Sequence, residues 1–214
     1  MTRSLLILGA GGHALSVADA AESAGFHVVG FVSDHGANSP SLAAPIFPDV
    51  SSAEWGTLEL ALGIGANFIR EEIYASTLEN YPELVMASVI HASAWVSHTA
   101  VVHAGAVVLS QASVGPGANL GIGSLINTAA SLDHESQMGD FASLGPGAHT
   151  GGRVTIGARS MVGLNAGVLQ GRKIGDDTVI GAHSLATQDF ESNVVVLGIP
   201  CQVVKNRERE DPYF

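Results

Sequence analysis

The run "VIHASAWVSHTAVVHAGAVV", residues 89–108, decides the architecture. Its large apolar residues follow neither strand alternation nor a helical stripe, because Ile90, Val96, Val102 and Val108 stand six apart. The same step continues through Val114, Leu120, Ile126, Leu132, Met138, Leu144, Thr150, Ile156, Val162, Val168, Ile174 and Ile180 to Ala186, making seventeen hexads without an insertion. Glycine often follows the apolar residue, as at 115, 121, 139, 145, 151, 157 and 163. The residue four after it is small, as at Ala94, Ala100, Ala106, Ala112 and Ala118. Neither of the ordinary periods yields this pattern. Six residues suffice for one short parallel strand and a tight corner. Three hexads therefore close a triangular coil, with the large side chain on its axis and the small residues at its corners. A parallel β-helix of between five and six coils follows, presenting flat outer faces rich in Val and Ala that favour association.

The residues ahead of this run obey a different grammar. "SLLIL" (4–8) predicts a buried strand, "GAGGH" (9–13) a glycine turn, "ALSVADAAESAG" (14–25) an amphipathic helix and "VVGFVSD" (28–34) a second strand. This is a Rossmann-like β-α-β unit. "LELALGIG" (58–65) predicts a third strand, "NFIREEIYASTLEN" (67–80) a second helix and "ELVMASVI" (83–90) the strand that feeds the coil; residues 36–56 predict a loop with a short helix. The chain thus divides into an α/β domain over 1–86, a β-helix over 87–190 and an extension over 191–214.

Gly9, Gly11 and Gly12 would let backbone approach a pyrophosphate at a helix start, where unpaired N–H groups favour anions. Asp34, closing the second strand, stands where a carboxylate can bind a ribose or a base. The third fingerprint glycine is replaced by Ala14, so a plain tight turn is the competing reading. Gly63 and Gly65 are open to the same two readings. Trp55 and Trp95 are expected to pack.

The bulk numbers exclude several classes. The chain has 214 residues and a formal net charge of −11, which argues against a nucleic-acid partner. No apolar stretch is long enough to span a bilayer, and the glycine-interrupted start is a strand rather than a leader. A single cysteine, Cys201, excludes a disulfide framework and suits a reducing cytoplasm. Seven of nine basic residues nevertheless lie at or after Arg153: Arg153, Arg159, Arg172, Lys173, Lys205, Arg207 and Arg209. A local anion site is possible there.

The charge pattern singles out one triplet. From Glu83 onward no Asp, Glu, Lys or Arg occurs until "DHE", Asp133 to Glu135. A histidine between two acids suits a general base, since a carboxylate holding one ring N–H fixes the tautomer and raises basicity at the other nitrogen. Coil stacking places His134 between Pro116 and Gly152, and Glu135 between Gly117 and Arg153. Adjacent residues on extended backbone point apart, so a His134–Glu135 hydrogen bond requires a corner. The bland alternative is a solvated corner with its carboxylates paired to Arg153.

Together, "GAGGHA…GFVSD…LGIGAN", "DHES", "GDFASLGPGAHTGG" and "GIPCQVVK" resemble bacterial hexapeptide-repeat N-acetyltransferases acting on nucleotide-linked 4-amino sugars, of the bacillosamine and perosamine type. The resemblance implies a left-handed coil, a homotrimer with active sites between subunits, and acetyl-CoA as the acetyl donor without a metal. It also implies His134 as base, tuned by Glu135. Nucleotide-sugar contacts would fall on Gly11, Gly12, His13, Ser33, Asp34 and Gly65, and acetyl-CoA contacts on Gly152, Leu164 and Ala182. Lys205 would meet a coenzyme A phosphate. Ser143 stands where several relatives carry a second histidine near the thioester, and could still donate a hydrogen bond. His35 follows Asp34 where some relatives have a second acid.

Three rivals remain. Relatives of the same layout O-acetylate sialic acid or related sugars. The coil also hosts zinc hydratases of the γ-carbonic anhydrase type, for which His98 and His103, with His91 and His149, would be ligands. A non-catalytic scaffold sensing a dinucleotide through "GAGGH" is the third.

Overall fold

The computed structural model describes residues 3–34, 36, 41–42, 44–52 and 58–213. His35 and Trp55 lie outside them. The amino-terminal part comprises β1 (Arg3–Leu8), α1 (Gly12–Ser23), β2 (Phe26–Val32), β3 (Ile46–Phe47), β4 (Leu58–Leu62), α2 (Asn67–Asn80) and β5 (Val85–Met86). All five strands are parallel, in the order β3-β2-β1-β4-β5. Strand order therefore reverses beside β1, which opens a crevice at the carboxyl ends of β1 and β4, the usual ligand position in an open parallel sheet.

Local chemistry explains the differences from the sequence reading. The helix α1 starts two residues before Ala14, because Gly11 is extended (φ −96°, ψ −174°) and ends the turn. It stops at Ser23, and Gly25 at φ +86° supplies the left-handed residue. The loop between β2 and β4 holds the two-residue β3 and one 3-10 turn at Val50–Ser52. "ELVMASVI" breaks into β5 and a separate coil strand, Val89–Ile90.

Alternate residues of β1 face opposite ways. Leu5 and Ile7 pack with Ala14, Val17 and Ala21 of α1, whereas Leu6 and Leu8 pack with Ile73 and Tyr74 of α2. The two helices thus cover opposite faces of the sheet.

From Val89–Ile90 to Leu185–Ala186 the chain winds a left-handed parallel β-helix of seventeen two-residue strands. Registers such as Ser113↔Ser131, Leu125↔Ser143 and Gln137↔Thr155 confirm the eighteen-residue coil. The hexad residues fill the axis: Val114, Leu120, Ile126, Leu132, Leu144 and Ile180 are fully buried. Where a corner lacks glycine, a residue such as Gln111, Ala129, Glu135 or Arg153 takes up the left-handed conformation, φ 56–59°.

One of the three coil faces, that of Val89, Val107 and Leu125, is covered by the amino-terminal sheet and α1. Helix α2 reaches the corner carrying Phe141, whose ring meets Tyr74 edge-on at 5.4 Å. Among the described residues nothing covers the other two faces, and Trp95, expected to pack, is 57% exposed on one of them. A hairpin, Val194–Gly198 with Cys201–Asn206, closes the coil. The tail then returns to α2, where the Tyr213 hydroxyl accepts a hydrogen bond from the Asn67 N–H.

Candidate active site

The triplet occupies the corner between the strands Ser131–Leu132 and Gln137–Met138. Asp133 is the local cap, its Oδ1 accepting the His134 N–H at 2.6 Å. Glu135 is left-handed (φ +56°), and this is the corner that the His134–Glu135 contact requires. The two neighbouring side chains converge, with His134 Nδ1 lying 3.2 Å from Glu135 Oε2. Arg153, one coil on, brings Nη1 to 3.5 Å of the same oxygen. One carboxylate oxygen thus lies within reach of both His134 and Arg153.

Glycine makes room for this ring. A Cβ on Gly152 would collide with His134 Nε2, and one on Gly115 would lie 2.6 Å from the His134 backbone nitrogen. The imidazole rests on the buried Gly152 but remains 45% exposed at its side chain. With Nδ1 facing the carboxylate, Nε2 is the nitrogen left for a reactant. Among the described residues the Gly152 N–H meets no acceptor.

The amino-terminal sheet forms a second centre. A cavity of about 420 Å³ opens at the carboxyl ends of β1, β2 and β4, and includes Gly9, Ser33, Asp34 and Ile64 in its lining. Gly11, Gly12, His13 and Gly65 lie outside that lining. A Cβ on Gly11 or Gly12 would meet nothing within 4 Å, so both leave open space at the α1 start, as backbone approach to a ligand requires. Gly9 (φ +112°) and Gly63 are packing glycines instead, a Cβ on Gly63 standing 2.9 Å from Ala14 Cβ.

His13 faces Gly65, and its Nε2 is buried without a partner among the described residues. Burial, with the nearby Arg70 charge, pushes its pKa down to about 4. Arg70 itself is fully buried. Its guanidinium donates to the carbonyls of Gly123 (2.7 Å), Phe141 (2.8 Å), Gly65 (3.0 Å) and Ile64 (3.1 Å), and to Asn67 Oδ1 and Ser143 Oγ, both at 3.0 Å. Burial pushes its pKa down to about 10.

Ser143 belongs to this network. Its hydroxyl is buried beneath α2, donating to Asn67 Oδ1 at 2.6 Å and accepting from Arg70, so it has no open face for a thioester. Sequence reasoning missed Arg70 and Asn67. The available signal was a basic residue inside a long stretch poor in them.

Most arginines of the late basic cluster are paired. Arg159 pairs with Asp177 (2.7 Å) and Glu71 (3.3 Å), Arg209 with Glu71 (2.6 Å) and Arg172 with Asp189 (3.7 Å). Arg207 is buried, donating to the carbonyls of Asp177 and Asp211. Lys173 and Lys205 stay exposed on the surface. Leu164 and Ala182 are exposed one coil apart at another corner. They flank one edge of the face bearing Ser131, His149 and Gly167, and Gly152 flanks the opposite edge. One chain does not gather the three.

The histidines named for zinc have other neighbours. His91 Nδ1 accepts from the Ser93 N–H at 2.9 Å with Asp19 3.6 Å from Nε2, and His149 Nδ1 meets Ser131 Oγ at 2.8 Å. Among the described residues no three His, Cys, Asp or Glu side chains gather as metal ligands, and no helix is long and apolar enough to cross a membrane.

Comparisons with known proteins cover both parts of the chain. Residues 4–77 match the PglD N-terminal domain. The acetyltransferase domain of PglB from Neisseria gonorrhoeae, solved with acetyl coenzyme A, superposes over 95% of this chain and all of that one, with a TM-score of 0.88 and 29% identity. The chain shares the architecture of the hexapeptide-repeat sugar N-acetyltransferases. GDP-perosamine N-acetyltransferase from Caulobacter crescentus, solved as a histidine-to-alanine variant with CoA and GDP-perosamine, fits this hexapeptide-repeat chain with a TM-score of 0.89 and 26% identity, covering 95% of it and 97% of the relative. Galactoside O-acetyltransferase of Escherichia coli is 38% identical over 53 residues, 25% of this hexapeptide-repeat chain. The matched stretch spans about a quarter (26%) of that enzyme's length.

Proposed function

We propose that this chain transfers the acetyl group of acetyl-CoA to the 4-amino group of a nucleotide-linked 4-amino-4,6-dideoxy sugar, with His134 as general base. The observation that carries the reading is the His134 Nδ1 to Glu135 contact at 3.2 Å, above a glycine that clears the space for the ring. The carboxylate orients the neutral imidazole with Nδ1–H toward itself and leaves the Nε2 lone pair for the incoming amine. As the amine nitrogen bonds to the thioester carbonyl carbon, Nε2 takes its proton. The Gly152 N–H supports the developing oxyanion. Collapse breaks the carbon–sulfur bond, and the imidazolium returns the proton to the departing thiolate. The relative solved with CoA and GDP-perosamine supports acetyl transfer to a nucleotide-linked amino sugar.

The geometry also favours a site shared between subunits. The amino-terminal sheet covers one coil face, while His134 lies at the corner where the two uncovered faces meet, across the prism from that sheet. A chain would therefore offer its own base to a neighbour's substrate. A homotrimer built through the uncovered faces, Trp95 among their exposed residues, satisfies this. Acetyl-CoA would lie between one subunit's His134 corner and the next subunit's Leu164 and Ala182, with Lys205 available to a phosphate. Gly11, Gly12, His13, Ser33, Asp34 and Gly65 would hold the nucleotide sugar. The enzyme would work in the cytoplasm, where acetyl-CoA is made.

The test is acetyl transfer measured against a panel of nucleotide-linked 4-amino sugars and, for the O-acetylation alternative, sialic acids and galactosides. Turnover confined to the amino sugars is the expected result; turnover confined to hydroxyl acceptors would replace amine by hydroxyl in the reading.

A further inference from the structure

We propose that Tyr213 is a positioning residue for the nucleotide, acting from the tail through the first turn of α2 on the Ile64–Gly65 turn. This rests on the first domain being the nucleotide site. Two helices begin at the crevice, and neither α1 nor α2 has a side-chain cap from its own N-cap residue. The α1 start is left open by Gly11 and Gly12. The α2 start is closed from 146 residues away, where the Tyr213 hydroxyl accepts the Asn67 N–H at 2.7 Å. The first N–H groups of a helix have no partner within it, so an acceptor brought to them orders the first turn. That turn carries Arg70, which donates to the Ile64 carbonyl at 3.1 Å and the Gly65 carbonyl at 3.0 Å. Ile64 lines the cavity and packs on the glycine turn after β1, where a Cβ on Gly9 would lie 3.1 Å from Ile64 Cγ1. Gly65 faces His13. Loosening the first turn of α2 therefore shifts both turns of the crevice, while the His134 corner lies on another edge of the coil.

The tail is folded to deliver this hydroxyl. Residues 207–211 wrap the buried Arg207 guanidinium, which donates to the Asp211 carbonyl at 2.6 Å and, in the coil, to the Asp177 carbonyl at 2.8 Å. The Arg207 N–H donates to the Asn193 carbonyl and the Asp211 N–H to that of Glu208. The same guanidinium lies 5.6 Å from the centroid of the Tyr213 ring. A tail that only pinned α2 to the coil would repeat contacts already made. Asn67 Nδ2 donates to the carbonyls of Arg159 (2.9 Å) and Ser160 (3.1 Å), and Arg159 pairs with Glu71. What Tyr213 adds is an acceptor for the first N–H of the helix.

The experiment is calorimetric titration of the full chain with UDP, GDP and dTDP and, separately, with acetyl-CoA, on the wild type, Tyr213→Phe and Arg209→Ala. Tyr213→Phe keeps the ring and removes the acceptor. It should weaken the tightest of the three nucleotides by about threefold to tenfold, as loss of one helix cap does, and leave acetyl-CoA within about twofold. Arg209→Ala loses only a half-exposed pair with Glu71 and should change either ligand less than about twofold. Amide exchange across residues 64–70 should quicken in Tyr213→Phe and not in Arg209→Ala. Unchanged nucleotide affinity in Tyr213→Phe overturns the proposal. Equal weakening of nucleotide and acetyl-CoA, or an equal effect of Arg209→Ala, makes the tail a general brace and overturns it as well. If the wild type binds none of the three nucleotides, the nucleotide reading of the first domain fails and the proposal with it.

Discussion

The imidazole of His134 lies directly on Gly152, one coil further along, in the space where any larger residue would put its Cβ. The ring's position therefore depends on a side chain that is missing. Gly152→Ala should leave the coil folded, since Gly152 has no positive φ to protect, while displacing Nε2. Misplacing a catalytic group by an ångström costs about 100-fold. We expect kcat to fall by about that factor with KM for acetyl-CoA little changed, which steady-state kinetics and a thermal melt would establish together.

Glu135 and Arg153 share one contact yet should differ in effect. In the proposed mechanism Glu135 orients the ring, whereas Arg153 only holds the carboxylate across an exposed pair that solvent screens. Glu135→Gln should lower kcat by about tenfold. Arg153→Ala should change it less than about threefold. The reverse order in an acetyl-transfer assay would make the pair structural and the orienting role wrong.

His13 predicts a pH dependence of stability. Its folded-state pKa is pushed down to about 4 from 6.5, so between these values the unfolded chain binds the extra proton. This contribution is complete above about pH 6.5 and is lost progressively as pH falls toward 4. The shift corresponds to on the order of 3 kcal/mol at the acid end. Melting of the wild type should therefore drop more steeply over this window than melting of His13→Gln, which has no proton to take up.

Arg70 and Ser143 predict how the sheet is fixed to the coil. Arg70→Met would leave the carbonyls of Gly65, Gly123 and Phe141 without their buried donor, a loss on the order of 3 kcal/mol or more. Ser143→Ala removes a single hydroxyl and should cost about 1 kcal/mol. Denaturant unfolding of both variants would show this ranking; a larger loss for Ser143→Ala would contradict the network.

The coil was legible because its repeat is a covalent count: one apolar residue every six positions dictates the axis wherever the strands later pair. Helix α2 was legible over all its residues for a similar reason, its ends being marked by "GAN" and "YP". The triplet was legible because it broke a charge-free run. The Arg70 network was not, since Gly123, Phe141 and Ser143 come to α2 only after whole coils have stacked, and carbonyl acceptors leave no trace in sequence. For the same reason Arg159, Arg207 and Arg209 read as an anion cluster, although Glu71 and Asp177, distant in sequence, engage them. Ile69 and Ile73, which line the cavity from α2, carry no mark in the sequence of what they face.

The most direct measurement is the acetyl-transfer rate of His134→Ala at saturating acetyl-CoA and acceptor, on protein whose melting matches the wild type. Loss of a positioned base lowers turnover by roughly 100-fold to 10,000-fold, and we expect a value in that range. Turnover within a few-fold of the wild type would show that the proton leaves the acceptor by another route and that His134 is only a surface corner.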